Sequence, residues 1–473
     1  MDNKEKKRYM MKKTLLWSVM TLVALSSCQD EFIKNNENKS DKISYKVETF
    51  TMSAPLKIGN SRSAETSNVS IEALGQTLGG KPLYLHTITD CVMPMDIKED
   101  KETGDKHAQS RGTESSTTSI KTAGSTIGVS AIVWNGTSWE DTGTERKLFM
   151  DNVTAEAEDF STNYYWPAAQ QRIRFFAYHP QGSTSISTTD KKNLTIEWEV
   201  HSTVADQKDL LVASADYAGD YKQKAPLFFG HALTAVQFQL DENITGVTVT
   251  GVRIKGVKYK GTYTYNYCGH NSDDGNDATP DTDNGTWVVD DDIYAGDEGK
   301  GFEITGLEKT SGIINDGANT FMMIPQTLPN EATIEVDVED SNNPTPVILS
   351  APIGNTIWQK GTKVIYKVSF DTNSTKYVLK VSDGSGNFAE ELTVGTPFPY
   401  YGGFGNYSIR SYKITTELGK EPKYEAIKWA VTSTSGVDYV SNPSGAGVTS
   451  ESASEGTYKF GMLPGELTST SHA

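Results

Sequence analysis

The feature that most constrains this chain is an alternation of apolar and polar residues at period two, repeated along its length with almost no helical stretch between. Leu194, Ile196, Trp198 and Val200 share one parity, as do Val236, Phe238 and Leu240. Residues 247–254 and 334–338 read the same way, and so do Val364, Tyr366, Val368 and Phe370. Successive side chains of an extended strand point to opposite faces, so each run buries one face and wets the other. Thr, Ser, Gly, Val and Tyr are abundant and turn residues separate the runs, as in chains of many short strands. Strands recurring without crossover helices predict an all-β protein built of antiparallel sandwiches. A length of 473 residues is too great for one small core, so two or three domains are expected.

Breaks near residues 202–208 and 371–376 divide the chain into a first β domain over 43–205 and a second over 206–370. The remaining 371–473 read as a small β module with strands at 377–381, 407–414 and 427–432. Its last residues, Ser-Thr-Ser-His-Ala, offer no closing strand, which predicts a chain cut short of something longer. The first strand spans 43–52. Ile43, Tyr45 and Val47 lie on one parity and Phe50 and Met52 on the other, which predicts a bulge or burial on two sides. A second strand is expected at 82–89, then a polar loop over 96–118, and Ile173, Phe175 and Ala177 mark a further strand.

Residues 1–27 precede this pattern and obey different rules. Lys4, Lys6, Lys7, Arg8, Lys12 and Lys13 lead into an apolar run over 15–25 that is too short to cross a bilayer, as in a signal peptide. Cys28 stands directly behind Leu25-Ser26-Ser27, which resembles a bacterial lipobox. Acylation of its sulfur is expected, with Cys28 as the new N-terminus and 28–42 as a solvated tether. Asp30 and Glu31 resemble the surface-export signal of Gram-negative lipoproteins. Lipid alone would then hold the protein to the outer membrane, since no other stretch is apolar enough to span. Each buried methylene contributes ~0.8 kcal/mol, so stable anchoring takes two or more acyl chains. The net charge is −17, and residues 1–27 hold six basic and two acidic residues, so residues 28–473 carry about −21. That surface repels phosphate backbones and argues against nucleic-acid binding. Besides Cys28 there are Cys91 and Cys268, which an exported chain can join. A disulfide closing so long a loop would contribute about 4–5 kcal/mol, although a chain of this size does not need one.

Motifs for chemistry are few. The Asp/Asn-rich run 271–284 lacks the glycine and distal glutamate spacing of a calcium loop and reads as a solvated hairpin insertion. The seven histidines show no paired metal spacing, and His231, between apolar neighbours, reads as a hydrogen-bonded core residue. No nucleophile elbow, phosphate loop or dinucleotide fingerprint occurs. The expectation is no catalysis, no cofactor and no metal. Aromatic residues are the candidate ligand platform. Trp134 and Trp139 flank Asn135-Gly136, a strong hairpin signal, and they serve either as a carbohydrate platform or as core and turn packing. Trp166 reads as core.

Five blocks, the first spanning residues 164–180, carry a family resemblance. Tyr164-Tyr165-Trp166-Pro167 precedes Arg172-Ile-Arg-Phe-Phe-Ala-Tyr-His-Pro180, and Asp209-Leu-Leu-Val-Ala213 comes after them. Then come Phe228-Phe-Gly-His-Ala-Leu-Thr-Ala-Val-Gln-Phe238, Met322-Met-Ile-Pro-Gln326 and Trp358-Gln-Lys-Gly-Thr-Lys-Val-Ile-Tyr366. In this order, and with the lipobox, they resemble the fimbrillin family of type V pilin subunits over about residues 43–370. The resemblance implies tandem transthyretin-like β-sandwich domains that polymerise by strand exchange. A surface protease would cut after an arginine, Arg62 or Arg111 here, and remove the first strand, 43–52. A strand from another fimbrial subunit would fill the groove by β-augmentation. The extra C-terminal module departs from a shaft subunit and suits a tip, anchor or accessory adhesin. The alternative is a monomeric lipoprotein that binds a host or microbial surface glycan or protein through Trp134, Trp139, Tyr400 and Tyr401.

Overall fold

The protein is seen here in a computed structural model that describes residues 42–49, 69–92, 115, 117–157, 159–266, 285–315, 319–341, 343–382, 388–393, 405–420, 423–426, 440–441 and 455–460. Among the described residues regular structure is nearly all strand, with a helical turn at Thr117–Ile120 and 3-10 turns at Val204–Asp206 and Asp297–Gly299. Strands are numbered in chain order. The first sheet runs β5 (Arg146–Glu156), β4 (Thr126–Trp134), β7 (Arg172–His179), β10 (Leu211–Ala218), β11 (Ala225–His231), β1 (Lys42–Thr49) and β6 (Ser161–Tyr165). Against it lies a sheet of β15 (Gly285–Val289), β14 (Lys260–Tyr265), β9 (Thr195–Glu199) and β8 (Ile186–Ser187).

The second sandwich pairs two more sheets. One orders β17 (Gly312–Ile313), β12 (Thr234–Leu240), β23 (Thr362–Ser369), β3 (Pro82–Val92) and β2 (Val69–Gln76), with β18 (Phe321–Met323) added on β12. The other orders β16 (Phe302–Lys309), β13 (Val247–Lys255), β20 (Thr333–Asp340) and β21 (Asn343–Pro352). A two-stranded ribbon joins β19 (Gln326–Thr327) to β22 (Ile357–Trp358). The C-terminal sheet holds β25 (Phe388–Thr393), β24 (Asn373–Ser382), β26 (Gly405–Glu417), β29 (Glu455–Phe460) and β28 (Val440–Ser441), with β27 (Lys423–Ala426) on β26. Among the described residues two ladders are parallel, β1 with β11 and β12 with β23.

Why the first sheet forms is written in its middle strands. All eight residues of β7 are buried. Ile173, Phe175 and Ala177 face one core with Val129, Ala131 and Leu227, while Phe176 and Tyr178 face the other with Ile196 and Tyr263. A strand buried on both faces loses the clean alternation of a half-wet one. Phe176 and Tyr265 meet edge-on at 5.4 Å across the first sandwich. The second sandwich is the simpler case. In β20 every second residue from Ile334 to Asp340 is buried, and Ile334, Val336 and Val338 pack with Phe238, Val364 and Tyr366.

Chain order and sheet membership diverge. β2 and β3 sit in the sheet of β23, β8 and β9 in the sheet of β14, and β11 beside β1. Pairings therefore cross residue 205 in both directions. At the other break β24 begins at Asn373, so the connection after β23 is only a few residues long. Gly361, at φ 71°, supplies the turn into β23, and Pro325 falls between β18 and β19. The expected strand at 427–432 lies outside the described residues.

Candidate functional site

β1 has the sequence KISYKVET, and Ile43, Tyr45 and Val47 are buried in the core of the first sheet. The expected inward parity of these three is what the structure shows, while Phe50 and Met52 lie outside the described residues. β1 is held along both edges. Residues 45–49 pair parallel with 225–229 of β11, and Lys42 and Ser44 pair with Tyr165 and Ser161 of β6 across a bulge. The Tyr45 amide donates to the Phe160 carbonyl at 3.1 Å, and Thr162 Oγ1 donates to the Ile43 carbonyl at 3.0 Å. The Tyr45 ring stands edge-on to Phe175 at 5.2 Å, and its hydroxyl reaches Met150 Sδ at 3.5 Å. A thioether is a weak acceptor, and burial pushes the Tyr45 phenol well above its ordinary pKa. The strand is thus both a backbone filler and a row of core side chains.

The tryptophan platform requires correction. Trp134 is 1% exposed and Trp139 8%, so neither offers an open stacking face. They pack against each other edge-on at 4.8 Å, and the Arg174 guanidinium covers the Trp139 ring at 3.9 Å with Arg146 at 4.9 Å. Asn135 and Gly136 make no left-handed two-residue turn. β4 and β5 do form a hairpin, with Trp134 opposite Arg146, but residues 135–145 connect them, long enough to fold Trp139 back onto Trp134. Burial of the pair follows from that length.

Beneath the pair lies a charged couple. Arg174 of β7 and Asp216 of β10 stand directly opposite in register and meet at 2.5 and 2.8 Å, with side chains only 4% and 8% exposed. Sequence reasoning passed over both. The available signal was Arg174, the second of two arginines in RIRFFAYH, and Asp216, the one acidic residue in LVASADYA. His231 is a buried, hydrogen-bonded residue as expected. Its Nδ1 meets Asp209 Oδ2 at 2.7 Å, and the same oxygen accepts the Ser115 amide at 2.8 Å. Asp209 is thus the partner that fixes His231 where β11 meets the start of the second sandwich.

The other sequence candidates lie largely beyond view. Cys28, Arg62, Arg111, Cys268, Tyr400 and Tyr401 fall outside the described residues. Cys91 is placed by its backbone in β3, opposite Lys363. The run 271–284 also falls outside, although the hairpin it would cap is present, with Tyr265 opposite Gly285. Among the described residues no group of three His, Cys, Asp or Glu is arranged to hold a metal ion. Nor is any helix there long and apolar enough to cross a membrane.

Comparison with known proteins places the chain in a family. Residues 113–383, more than half of the chain, match the family described as fimbrillin-like. No curated protein matches. Similar solved structures include a "putative cell adhesion protein" from Bacteroides uniformis ATCC 8492, 16% identical, with TM-score 0.30 over 52% of this chain and 85% of that one. A second from Bacteroides ovatus ATCC 8483 is 14% identical, with TM-score 0.30 over 54% and 80%. A third from Bacteroides fragilis NCTC 9343 is 10% identical, with TM-score 0.29 over 76% and 99%.

Proposed function

The chain belongs to the fimbrillin-like family, and from that premise we propose that it is a surface adhesion-type protein, a lipid-anchored, non-enzymatic accessory or tip subunit of a fimbrium whose first strand is exchanged during assembly. The observation that carries this reading is the seat of β1. It is paired on both edges and supplies three core side chains, and the chain between β1 and β2 contains Arg62. A cut after Arg62 and loss of β1 would leave the edges of β11 and β6 unpaired beside an empty apolar slot. Such an edge takes up a strand from another chain, with alternate side chains setting the register.

The two arginines differ in what their cleavage would release. A cut at Arg111 would also free β2 and β3, and β3 is an inner strand between β23 and β2 with Leu83 and Leu85 fully buried. This supports Arg62 as the processing site. Acylated Cys28 would hold the precursor at the outer membrane until the cut. β23, enclosed between β12 and β3 and succeeded at once by β24, supports an accessory or tip position over a shaft. The partners are then other subunits by strand addition and, at the free end, a host or microbial surface glycan or protein.

The test is a chain that begins at Ser63, mixed with a synthetic peptide of residues 42–49. The expected result is uptake of the peptide and oligomers in its absence, while the full chain stays monomeric. A Ser63 chain that remains a folded monomer and ignores the peptide would sink the reading. On cells, Arg62→Ala should stop processing and Arg111→Ala should not, as read from the N-terminal residue of the recovered protein.

A further inference from the structure

Resting on the strand-exchange reading, we propose that the seat of Tyr45 selects which strand may replace β1. The occupant is a strand of another subunit, laid parallel to β11, with an aromatic residue at its centre and an aliphatic one two places to either side. The protein has built this fit twice. β1 contains Ile43-Ser-Tyr45-Lys-Val47, and β23 contains Val364-Ile-Tyr366-Lys-Val368. These two strands make the parallel ladders found among the described residues, β1 on β11 and β23 on β12. Each is covered on its other edge by an antiparallel strand, β6 or β3. Their inward residues, three in each strand, are all at most 2% exposed, and Lys46 and Lys367 fall on the opposite parity. Two slots of like topology have thus been filled by one side-chain pattern.

Backbone pairing alone would not discriminate, because any extended peptide offers the same donors and acceptors to the edges of β11 and β6. The side chains do. Tyr45 lies opposite Ala225 and edge-on to Phe175 at 5.2 Å, and the Tyr366 ring stands 5.6 Å from that of Phe238. A core closed around a ring is left with a cavity by anything smaller. The polar ends of the two seats differ. The Tyr366 hydroxyl accepts the Trp358 Nε1 proton at 3.0 Å, whereas the Tyr45 hydroxyl has the Met150 thioether at 3.5 Å. The seat of Tyr45 therefore requires a ring and gains little from its hydroxyl, so phenylalanine suits it too. β23 itself is enclosed between β12 and β3 and is not free to leave. The occupant accordingly comes from a different subunit that carries such a strand unpaired, not from the β23 of a second copy.

Strand displacement in the full chain tests this. Tyr45→Ala loosens β1 by emptying the ring seat, and Val47→Ala loosens it more gently, for use where the first variant disturbs the fold. Fluorescent peptides of residues 42–49, of residues 362–369, and of 362–369 with Tyr366→Phe or Tyr366→Ala are titrated into each variant, with binding read as anisotropy. The wild-type chain, whose β1 is tethered and keeps its ring, should exclude them all. Both variants should take up the peptides of 42–49 and 362–369 and the Tyr366→Phe form with affinities of the same order. The Tyr366→Ala peptide should bind about a hundredfold more weakly, the scale of one buried ring. Uptake of 42–49 without 362–369 would overturn the selection rule and leave strand exchange standing. So would equal binding of the Tyr366→Ala peptide. Uptake of none of the peptides by either variant would overturn both.

Discussion

Replacing Asp216 by asparagine isolates one interaction that the first sheet depends on. Asp216 and Arg174 are cross-strand neighbours, joined by two contacts and nearly sealed from water. The asparagine keeps the shape and removes the charge, so Arg174 is left as a buried cation over the Trp139 ring with its carboxylate gone. Breaking such a pair from one side costs roughly 3–5 kcal/mol, because a desolvated charge then loses its carboxylate. A domain of this size has about 5–15 kcal/mol in total, so the loss is a large share. Removing both charges together, in Arg174→Met with Asp216→Leu, should cost far less, since no charge is then stranded. The single variants Arg174→Met and Asp216→Leu and this double form a cycle whose coupling should reach about 2–3 kcal/mol. Urea unfolding gives the magnitudes, and amide hydrogen exchange in β7 and β10 shows where the loss falls. A loss below about 1 kcal/mol in Asp216→Asn would refute the reasoning and mean that water reaches the pair.

The geometry fixes three further outcomes. Tyr45→Ala should cost about 3–5 kcal/mol, the range for deleting a buried aromatic ring, and a small shift in the unfolding midpoint would contradict the packing against Phe175. Asn152→Asp should cost about 1–3 kcal/mol, because Asn152 both donates to the Ile186 carbonyl and accepts its amide, and the aspartate loses the donor; an unchanged unfolding free energy in urea would contradict this. His86 and His179 have pKa values lowered by burial, so the unfolded chain takes up protons that the folded one does not. Their contribution is fully present above the unfolded value of about 6.5 and is lost as pH falls below it. The acid-side loss should shrink in His86→Gln, measured as unfolding free energy at pH 7.5 and 5.5.

Much of this fold is legible in the sequence because period two reports burial directly. Ile334, Val336 and Val338 bury one face as read, and Ile43, Tyr45 and Val47 turn inward. The same signal is silent on which sheet a strand joins. Nothing in residues 82–89 announces that β3 pairs with β23, because the partner is set by tertiary packing of equivalent apolar faces. At Trp134 and Trp139 the Asn-Gly dipeptide misleads, since a local turn signal is overridden by the longer connection to β5. Arg174 and Asp216 needed the register of β7 against β10, which no spacing in one strand supplies.

The enclosed place of β3 also governs when this protein can finish folding. His86 bonds to the carbonyl of Asp371, 285 positions later, and β3 waits for β23 before its second edge is covered. Contacts so distant in sequence are slow to form, since a long loop must close before they give anything back. As the chain emerges from its N-terminus, the β2–β3 hairpin exposes Leu83 and Leu85 until the last strand of the second sandwich arrives. In that interval it is a sticky edge in search of a partner, the condition under which chains aggregate or need a chaperone. Synthesis and export must therefore deliver residues 69–369 as a unit before the second sandwich can close.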